Sequence, residues 1–389
     1  MTYRCRSPAE CGAPPTADVT GSFHVFLIIL RTDDDKCDGG SGCGSASWTV
    51  DVEPMITSTI ETEQWELVEP FEIARGVLTA VPLVLLTLTD SAGNVGRAEA
   101  AGVDYDGETP ALLRLQIESV LPLVLAAAHG DVVNDATLRA AQELLPSGGA
   151  RNAIDCALWD LRAKQSGISA WRYAALPGLR PLTTVFTLGL GTESDTRRKA
   201  RAARGYPLLK LKCDADRHVD VVRWVREEHP TARIAVDANQ SWNRDLLERV
   251  LPPLAALGVV MVEQPLPRFE DAQLDGLQAL LPLAADESCV DRESLAALYG
   301  RYQFINIKLD KCGGLTEALS MSNEALAHGL QLMVGNMCGT SLGMAPGFLI
   351  GQRCGYVDLD GPLLQTRDRE HAITFTDGVM QPPSSTLWG

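Results

Sequence analysis

The stretch ARIAVDANQSWNRDLLERVLPPLAALGVVMVEQP, residues 232–265, decides the fold. It opens on one β-rich run, ARIAVDAN, and closes on another, VVMVEQP, with a helical stretch between them. Working outward, the same rhythm begins at TTVFTLGL (183–190) and LLKLKC (208–213). It continues through PLAADES (282–288), FINIKLD (304–310), QLMVGNM (331–337) and YVDLDG (356–361). This makes eight strands, with helical stretches in the seven gaps. Strands that alternate with helices form a parallel sheet. Eight of them within about 180 residues predict a closed β/α barrel rather than an open sheet. The doubly wound alternative wants a G-x-G-x-x-G turn after its first strand, and the sequence has none there.

Upstream, residues 55 to about 100 read as strands: TSTIETEQWELV alternates, VPLVLLTLTD follows, and SAGN turns the chain into VGRAEA. From about 110 to 175 the pattern is helical, and ARNAIDCALWDLRAKQSG stops at Gly167. The block reads as one α+β unit. Residues 1–54 look foreign to it: SPAECGAPPTAD and DDDKCDGGSGCGSAS are turn- and linker-like. GGSGCG is not a phosphate loop, because no Lys-Ser/Thr follows. We expect a disordered or non-native extension over 1–54, with the true start near Met55.

The 389 residues carry a net charge of -16 and a pI near 4.8, which argues against nucleic acid or an anionic membrane as partner. VFLIIL (25–30) is too short to span a bilayer, and Arg31 and DDDK follow it instead of a cleavage site. The expected compartment is the cytoplasm. Cys5, Cys11, Cys37 and Cys43 have C-x5-C spacing twice, which is not zinc-site spacing. Cys156, Cys213, Cys289, Cys312, Cys338 and Cys354 sit in apolar sequence and read as small buried thiols.

A barrel carries its active site at the C-terminal ends of its strands. The second run ends with Lys210 and Lys212, the third with Asp237 and Asn239, the fourth with Glu263. The fifth ends with Asp286 and Glu287, the sixth carries Asn306 and Lys308, and the eighth has Asp358 and Asp360. Three acids on consecutive strands would repel one another unless a cation joins them. With oxygen ligands and no histidine or cysteine nearby, Mg2+ is expected over Zn2+, held by Asp237, Glu263 and Asp286. Lys212 and Lys308 flank those acids from opposite sides, and Lys210 is a second cation that should lower the pKa of Lys212. One base on each face of a metal-held carboxylate predicts a 1,1-proton transfer. One lysine removes the α-proton to give an enediolate and the other returns a proton to the opposite face.

KLK (210–212), VDANQSW (236–242), VEQPLP (262–267), ADES (285–288) and INIKLDKCGG (305–314) stand in order, their key residues 25, 26, 23 and 22 apart. In these motifs the chain resembles the enolase superfamily, muconate-lactonizing subgroup, over about residues 55 to 380. GGARNAIDCALWDL, GRYQFINIKLDKCGGLTEAL and VDLDGP make it most similar to dipeptide epimerases of the bacterial L-Ala-D/L-Glu type. The resemblance implies a TIM-type (β/α)7β barrel over 181–365. An α+β capping domain over 55–180 would be joined by a returning tail, 366–389. It implies a small dipeptide as partner, with Asp358 and Asp360 on its free ammonium and Thr187 and Arg75 also binding substrate. Lys210, Asn239, Glu287 and Asn306 would support the bases and the metal.

The side-chain reader should lie in two capping loops, PFEIARGVLTA (70–80) and AGVDYDGETP (101–110). Arg75 suits a glutamate or is structural. Val77 and Leu78 suit apolar side chains, whereas Asp104 and Asp106 would repel glutamate and welcome a basic one. Acidic, apolar and basic dipeptides stay open, as does a homo-oligomer. A cycloisomerase, o-succinylbenzoate synthase or N-acyl amino acid racemase would share the lysines and acids. A non-catalytic metal-dependent binding protein would not need both lysines. A sugar-acid dehydratase wants a histidine on the seventh strand, which QLMVGNMCG lacks.

Overall fold

A computed structural model describes residues 56–389. The expected extension 1–54, its four cysteines and the Met55 start lie outside the described residues. The first sheet has three antiparallel strands in sequence order: β1 (Ile56–Ile73), β2 (Gly76–Asp90) and β3 (Val95–Ala100). Residues 70–80, expected as a loop, form the tip of the β1–β2 hairpin, where Ile73 pairs with Gly76. Pairing carries β-branched and apolar residues right up to the turn, so the segment is strand rather than coil. Asp90 Oδ1 accepts from the backbone of Ala92 and Asn94, which turns β2 into β3.

Helices α1 (Pro110–Leu125), α2 (Asp135–Leu144), α3 (Gly149–Ser166) and the short α4 (Ala170–Tyr173) follow. Thr109 caps α1 before Pro110, and Asn134 with Thr137 closes a capping box on α2. Helix α3 is buried along most of its length and ends at Gly167, whose φ of +66° suits a left-handed cap. It lies directly on β3: a Cβ on Gly96 would stand 2.4 Å from the Ala157 carbonyl oxygen. Trp159 Nε1 donates to Thr316 Oγ1 at 2.8 Å and so ties α3 to the second half of the chain.

That half alternates strand and helix in five of its seven gaps. After β4 (Leu182–Thr183) come β5 (Phe186–Leu188), α5 (Glu193–Ala202), β6 (Leu208–Lys212), α6 (Val219–Glu228), β7 (Arg233–Asp237), α7 (Arg244–Ala256) and β8 (Val259–Glu263). Then come β9 (Leu283–Ala285), β10 (Phe304–Lys308), α8 (Leu309–Cys312), α9 (Leu315–Ala327), β11 (Gln331–Gly335), α10 (Ser341–Gly351) and β12 (Tyr356–Val357). Strands β5 to β12 form one eight-stranded parallel sheet in sequential order. The sheet is curled. Val185 N–H, beside the first strand, donates to Val357 O on the last at 2.8 Å. One buried cluster takes a residue from or next to each strand: Val185, Leu208, Ala235, Met261, Ala284, Phe304, Met333 and Tyr356. Burying each such side chain contributes roughly 1.5–3 kcal/mol for the larger ones.

Three expectations are corrected. The β8–β9 and β9–β10 gaps hold no α-helix, only 3-10 turns at Asp271–Leu274 and Leu295–Ala297. Pro265, Pro267, Gly276 and Pro282 interrupt the first gap and leave at most the eight residues 268–275 between breakers, where a helix is marginal. The run 183–190 is divided: Thr183 pairs with Val379 in a small sheet of β4, β13 (Phe375–Thr376) and β14 (Val379–Met380), and only Phe186–Leu188 joins the large sheet. The run 356–361 stops being strand at Val357; Asp358 to Asp360 lead instead into a 3-10 turn at Gly361–Leu364.

The chain end packs on the first half. Trp388 Nε1 donates to Cys156 O, and Gly389 N–H donates to Asp160 Oδ1. Among the described residues, Cys156, Cys213, Cys289, Cys312, Cys338 and Cys354 are free thiols, and no helix is long and apolar enough to cross a membrane.

Candidate active site

Strands β6, β7, β8 and β10 each end on an ionisable residue, and each of these is buried: Lys212, Asp237, Glu263 and Lys308. Asp286 follows β9 by one residue and joins them. One carboxylate oxygen from each of Asp237, Glu263 and Asp286 lies within 4.8 Å of the others.

Each acid is held from behind. Asn239 N–H donates to Asp237 Oδ1 at 2.9 Å, from a turn in which Asn239 and Gln240 both have positive φ. Asn306 Nδ2 donates to Glu263 Oε1 at 2.7 Å. Gln264 Oε1 accepts from the backbone of Asp286 at 2.9 Å and of Ser288 at 3.1 Å. Glu263 Oε2 is buried without a hydrogen-bond partner; Lys210 Nζ lies 3.1 Å from it, but not aligned for a bond. Burial, then the charge of Asp237, raises the pKa of Glu263. The geometry and the all-oxygen donor set fit a hard divalent cation.

The two expected bases stand at opposite flanks of the acids. Lys212 Nζ is 2.7 Å from Asp237 Oδ2, and Lys308 Nζ is 2.7 Å from Asp286 Oδ2. Burial, the largest influence, disfavours the charged form of Lys308, but Asp286, Glu263 and Glu287 together hold its pKa above the usual lysine value. Lys210 does not act as a free cation beside Lys212. Its Nζ is spent on Asp358 Oδ2 at 2.5 Å, with Glu263 and Asp237 at 3.1 and 3.2 Å. Against the cost of burial, those three carboxylates raise its pKa. The charge of Lys210, expected to act on Lys212, is answered by the acids around it.

Asp358 and Asp360 prove unlike each other. Asp358 is paired with Lys210, and Asn336 Nδ2 holds its backbone oxygen at 2.7 Å. Asp360 Oδ2 accepts the Thr187 N–H at 2.7 Å, which places Thr187 at the site. Burial, then Asp358, pushes the Asp360 carboxyl up to about 7.

The lid comes from the first half. Arg75, at the hairpin tip, donates to Glu287 Oε1 at 2.7 Å, and Asn239 Nδ2 donates to the same oxygen at 3.3 Å. Its guanidinium lies 4.7 Å from the Tyr105 ring centroid. Asp106 is not a free acid: Arg268, in the segment after β8, pairs with it at 2.5 and 3.0 Å. The expected repulsion of glutamate by Asp106 is therefore offset. Tyr105 Oη, Asn239 Oδ1 and Glu287 Oε2 are buried without hydrogen-bond partners.

Sequence reasoning missed Arg268, Tyr105, Gln264 and Lys311. Lys311 is buried, donates to Asp286 Oδ1 at 2.7 Å and also reaches the Asp286 carbonyl. Its signal was present in INIKLDKCGG, three residues past Lys308 on the same turn of chain. With burial opposing, Lys308 and then Lys311 hold Asp286 well below the usual carboxylate range.

Comparison with known proteins gives this geometry a family. Residues 55–173 match the mandelate racemase / muconate lactonizing enzyme N-terminal domain, and residues 195–386 match the enolase C-terminal domain-like family. The L-Ala-D/L-Glu epimerase of Escherichia coli (strain K12) is 38% identical over 328 residues, 84% of this chain and 99% of that one. The chain belongs to the mandelate racemase and muconate lactonizing enzyme family of the enolase superfamily. A second relative, the N-acetyl-D-glutamate racemase of a Pseudoalteromonas species, is 43% identical over 245 residues, 63% of this chain and 78% of its own. Among solved structures, an enolase family member from Agrobacterium tumefaciens with homology to dipeptide epimerases is 38% identical with a TM-score of 0.81. The match covers 86% of this chain and all of that one, whose structure holds sodium and L-Ala-L-Glu. In this member of the mandelate racemase and muconate lactonizing enzyme family, both matched halves contribute to the site: Arg75 and Tyr105 from the first, the acids and lysines from the second.

Proposed function

We propose that the protein is an Mg2+-dependent dipeptide epimerase that inverts the α-carbon of the C-terminal residue, with glutamate preferred there. The observation that carries this is the pair of lysines, each 2.7 Å from a different carboxylate of one acid triad. Asp237, Glu263 and Asp286 hold the cation, and a solved dipeptide epimerase from Methylococcus capsulatus, 27% identical, likewise holds Mg. Held by these three carboxylates, Mg2+ would supply positive charge for the substrate carboxylate and for the negative charge that develops on it.

One lysine amine takes the α-proton as the C–H bond breaks, and the electron pair spreads into the carboxylate as an enediolate. The other lysine, as ammonium, gives a proton to the opposite face, forming the new C–H bond. Arg75 meets the glutamate side chain with the guanidinium N–H groups that Glu287 leaves free, and Asp358 with Asp360 takes the far end of the dipeptide. The E. coli relative named for L-Ala-D/L-Glu and the L-Ala-L-Glu in the Agrobacterium structure support glutamate.

The curled sheet is read as a closed (β/α)7β barrel over 181–365, capped by 55–180 and the tail 366–389. The Val185–Val357 bond, the eight-strand inner cluster and the contacts of Trp388 and Gly389 support this. The six free thiols suit a reducing compartment such as the cytoplasm.

A second reading is an N-acyl glutamate racemase. It is favoured by the Pseudoalteromonas relative and by Asp358, which already has Lys210 as its cation. Substrates decide between the two. L-Ala-L-Glu and N-acetyl-L-glutamate in heavy water would be followed by NMR for deuterium at the α-carbon. The dipeptide should exchange faster, and Asp358→Asn should slow it more than the N-acetyl compound. The reverse order would replace the first reading with the second, and exchange in neither would sink both.

A further inference from the structure

Lys308 ends β10, but that strand alone does not fix its ammonium group. The end of β3 and the chain leaving it wedge against the elements on both sides of it. On one side is Asp310, two residues after Lys308. Its Oδ1 accepts the backbone N–H groups of Ala101 and Gly102, both at 3.1 Å, and Asn152 Nδ2 at 3.3 Å. On the other side is Glu99, buried at 3% exposure. It accepts the Thr340 N–H at 2.5 Å and the Thr340 hydroxyl at 2.6 Å. Thr340 is the N-cap of α10, and residues 336–340 link β11 to that helix. Within this link Met337 Sδ lies 4.0 Å from Lys308 Nζ, and Asn336 Nδ2 holds Asp358 O. The approach is close: a Cβ on Gly339 or on Gly343 would stand 2.9 Å from Glu99 Oε1.

Glu99 is held in turn by the C-terminal segment. Arg369 Nη2 and Nε donate to Glu99 Oε2 at 2.8 and 3.1 Å. The same guanidinium pairs with Glu63 on β1 at 2.5 Å and lies 4.6 Å from the Trp65 ring centroid. Asp368 accepts the next N–H of the helix start, from Ser341, at 2.9 Å. Three distant parts of the chain thus meet on the link beside one of the two bases. Lys212 takes its hold from Asp237, on β7.

We propose that Glu99, fixed by Arg369, is a positioning residue for Lys308: it sets the β11–α10 link whose Met337 packs against the Lys308 ammonium. A lysine base has four rotatable bonds and must meet the α-carbon from one face, so a loosened link lets its nitrogen wander. The effect should fall more heavily on Lys308, because Met337 of the link touches its ammonium directly, whereas Asn336 of the same link reaches Lys210 only through Asp358. The proposal rests on the two-base reading, and the test separates the two.

The full-length enzyme with Mg2+ is assayed in heavy water, following deuterium exchange into L-Ala-L-Glu and L-Ala-D-Glu separately. Lys308→Ala and Lys212→Ala identify which epimer each base serves. If neither variant loses exchange into one epimer only, the two-base reading falls and the proposal with it. Given one-sided losses, Glu99→Gln should slow the Lys308-dependent exchange about tenfold or more and the Lys212-dependent exchange less than about twofold. Arg369→Lys, which keeps the charge, should retain more of the Lys308-dependent rate than Arg369→Met. Equal slowing of both exchanges, or slowing of neither, overturns the role of Glu99 and leaves the two-base reading standing. If Glu99→Gln does not fold, Thr340→Val is judged by the same ratio; it keeps the backbone N–H to Glu99 and loses the hydroxyl's bonds to Glu99, Arg369 and the Leu342 N–H.

Discussion

The C-terminal edge of the parallel sheet and the lid over it meet at one site but are built differently. At the edge, Lys210, Lys212, Asp237, Glu263, Asp286 and Lys308 are all buried, and each is paired with its opposite. At the lid, the side chains of Arg75, Arg268 and Asp106 keep 29%, 24% and 34% of their exposure. A buried charge stripped of its partner is costly, whereas a part-exposed cation such as Arg75 can take a second partner at little cost while it keeps the buried Glu287. The edge is therefore suited to fixed chemistry and the lid to choosing a substrate. Changes at the edge should abolish turnover, and changes at the lid should shift preference.

The sharpest break would come at the bases. Lys212→Ala or Lys308→Ala should cut epimerisation by about 10²- to 10⁴-fold while Mg2+ binding, read by calorimetry, survives. Near-normal turnover in either variant would end the two-base mechanism. Next comes the metal. Chelation should remove activity and Mg2+ restore it, and Mg2+ should also raise the melting temperature, because binding discharges three close acids in the folded state only. An unchanged melting temperature would show that the triad is not the cation site.

At the lid the effect should be smaller and selective. Arg75→Met should raise KM for L-Ala-L-Glu by about 10- to 100-fold, the worth of one charge-assisted bond, with kcat less affected. KM for L-Ala-L-Leu should hardly move; an equal loss for both dipeptides would make Arg75 a structural clamp on Glu287.

The smallest effect concerns stability and pH. Burial, the largest influence, pushes Asp310 up to about 7 against the hydrogen bond from Gly102, and Asp155 up to about 6 against its bonds from Thr316. Unfolded, both would titrate near 3.9. The folded chain therefore binds more protons between these values, so stability is greatest below about pH 4 from these groups and falls as pH rises to about 7. Asp237 and Asp286, shifted down, act in the opposite sense at lower pH. Asp310→Asn, which keeps an acceptor for Ala101 and Gly102, should flatten the fall in melting temperature between pH 4 and 7. A slope unchanged from the parent chain would show that Asp310 is ionised when folded.

Much of the edge was legible beforehand, and for a local reason. In IAVDAN, VMVEQP and LAADES an apolar run of strand length ends on an acid, and the strand must stop where the charge meets the edge. Each of the eight runs contributes one strand to β5–β12, and the first also gives Thr183 to β4. Less was legible where helices had to be inferred from gaps, since prolines in 265–282 leave only a 3-10 turn. The two aspartates of VDLDG looked equivalent by spacing, yet one faces Lys210 and the other the Thr187 amide. Spacing states that two groups are near each other along the chain and says nothing about what stands opposite each.

By itself the sequence determined the order of strands, the acids and lysines that end them, and hence the kind of chemistry. Those follow from alternation, strand length and the cost of burying a charge, all short-range properties. Only the tertiary structure decided which charge answers which. Arg75 finds Glu287 across 212 residues and Arg369 finds Glu99 across 270. Such pairs are set by how two sheets dock, and docking depends on shape and packing summed over the whole core rather than on any one stretch of chain.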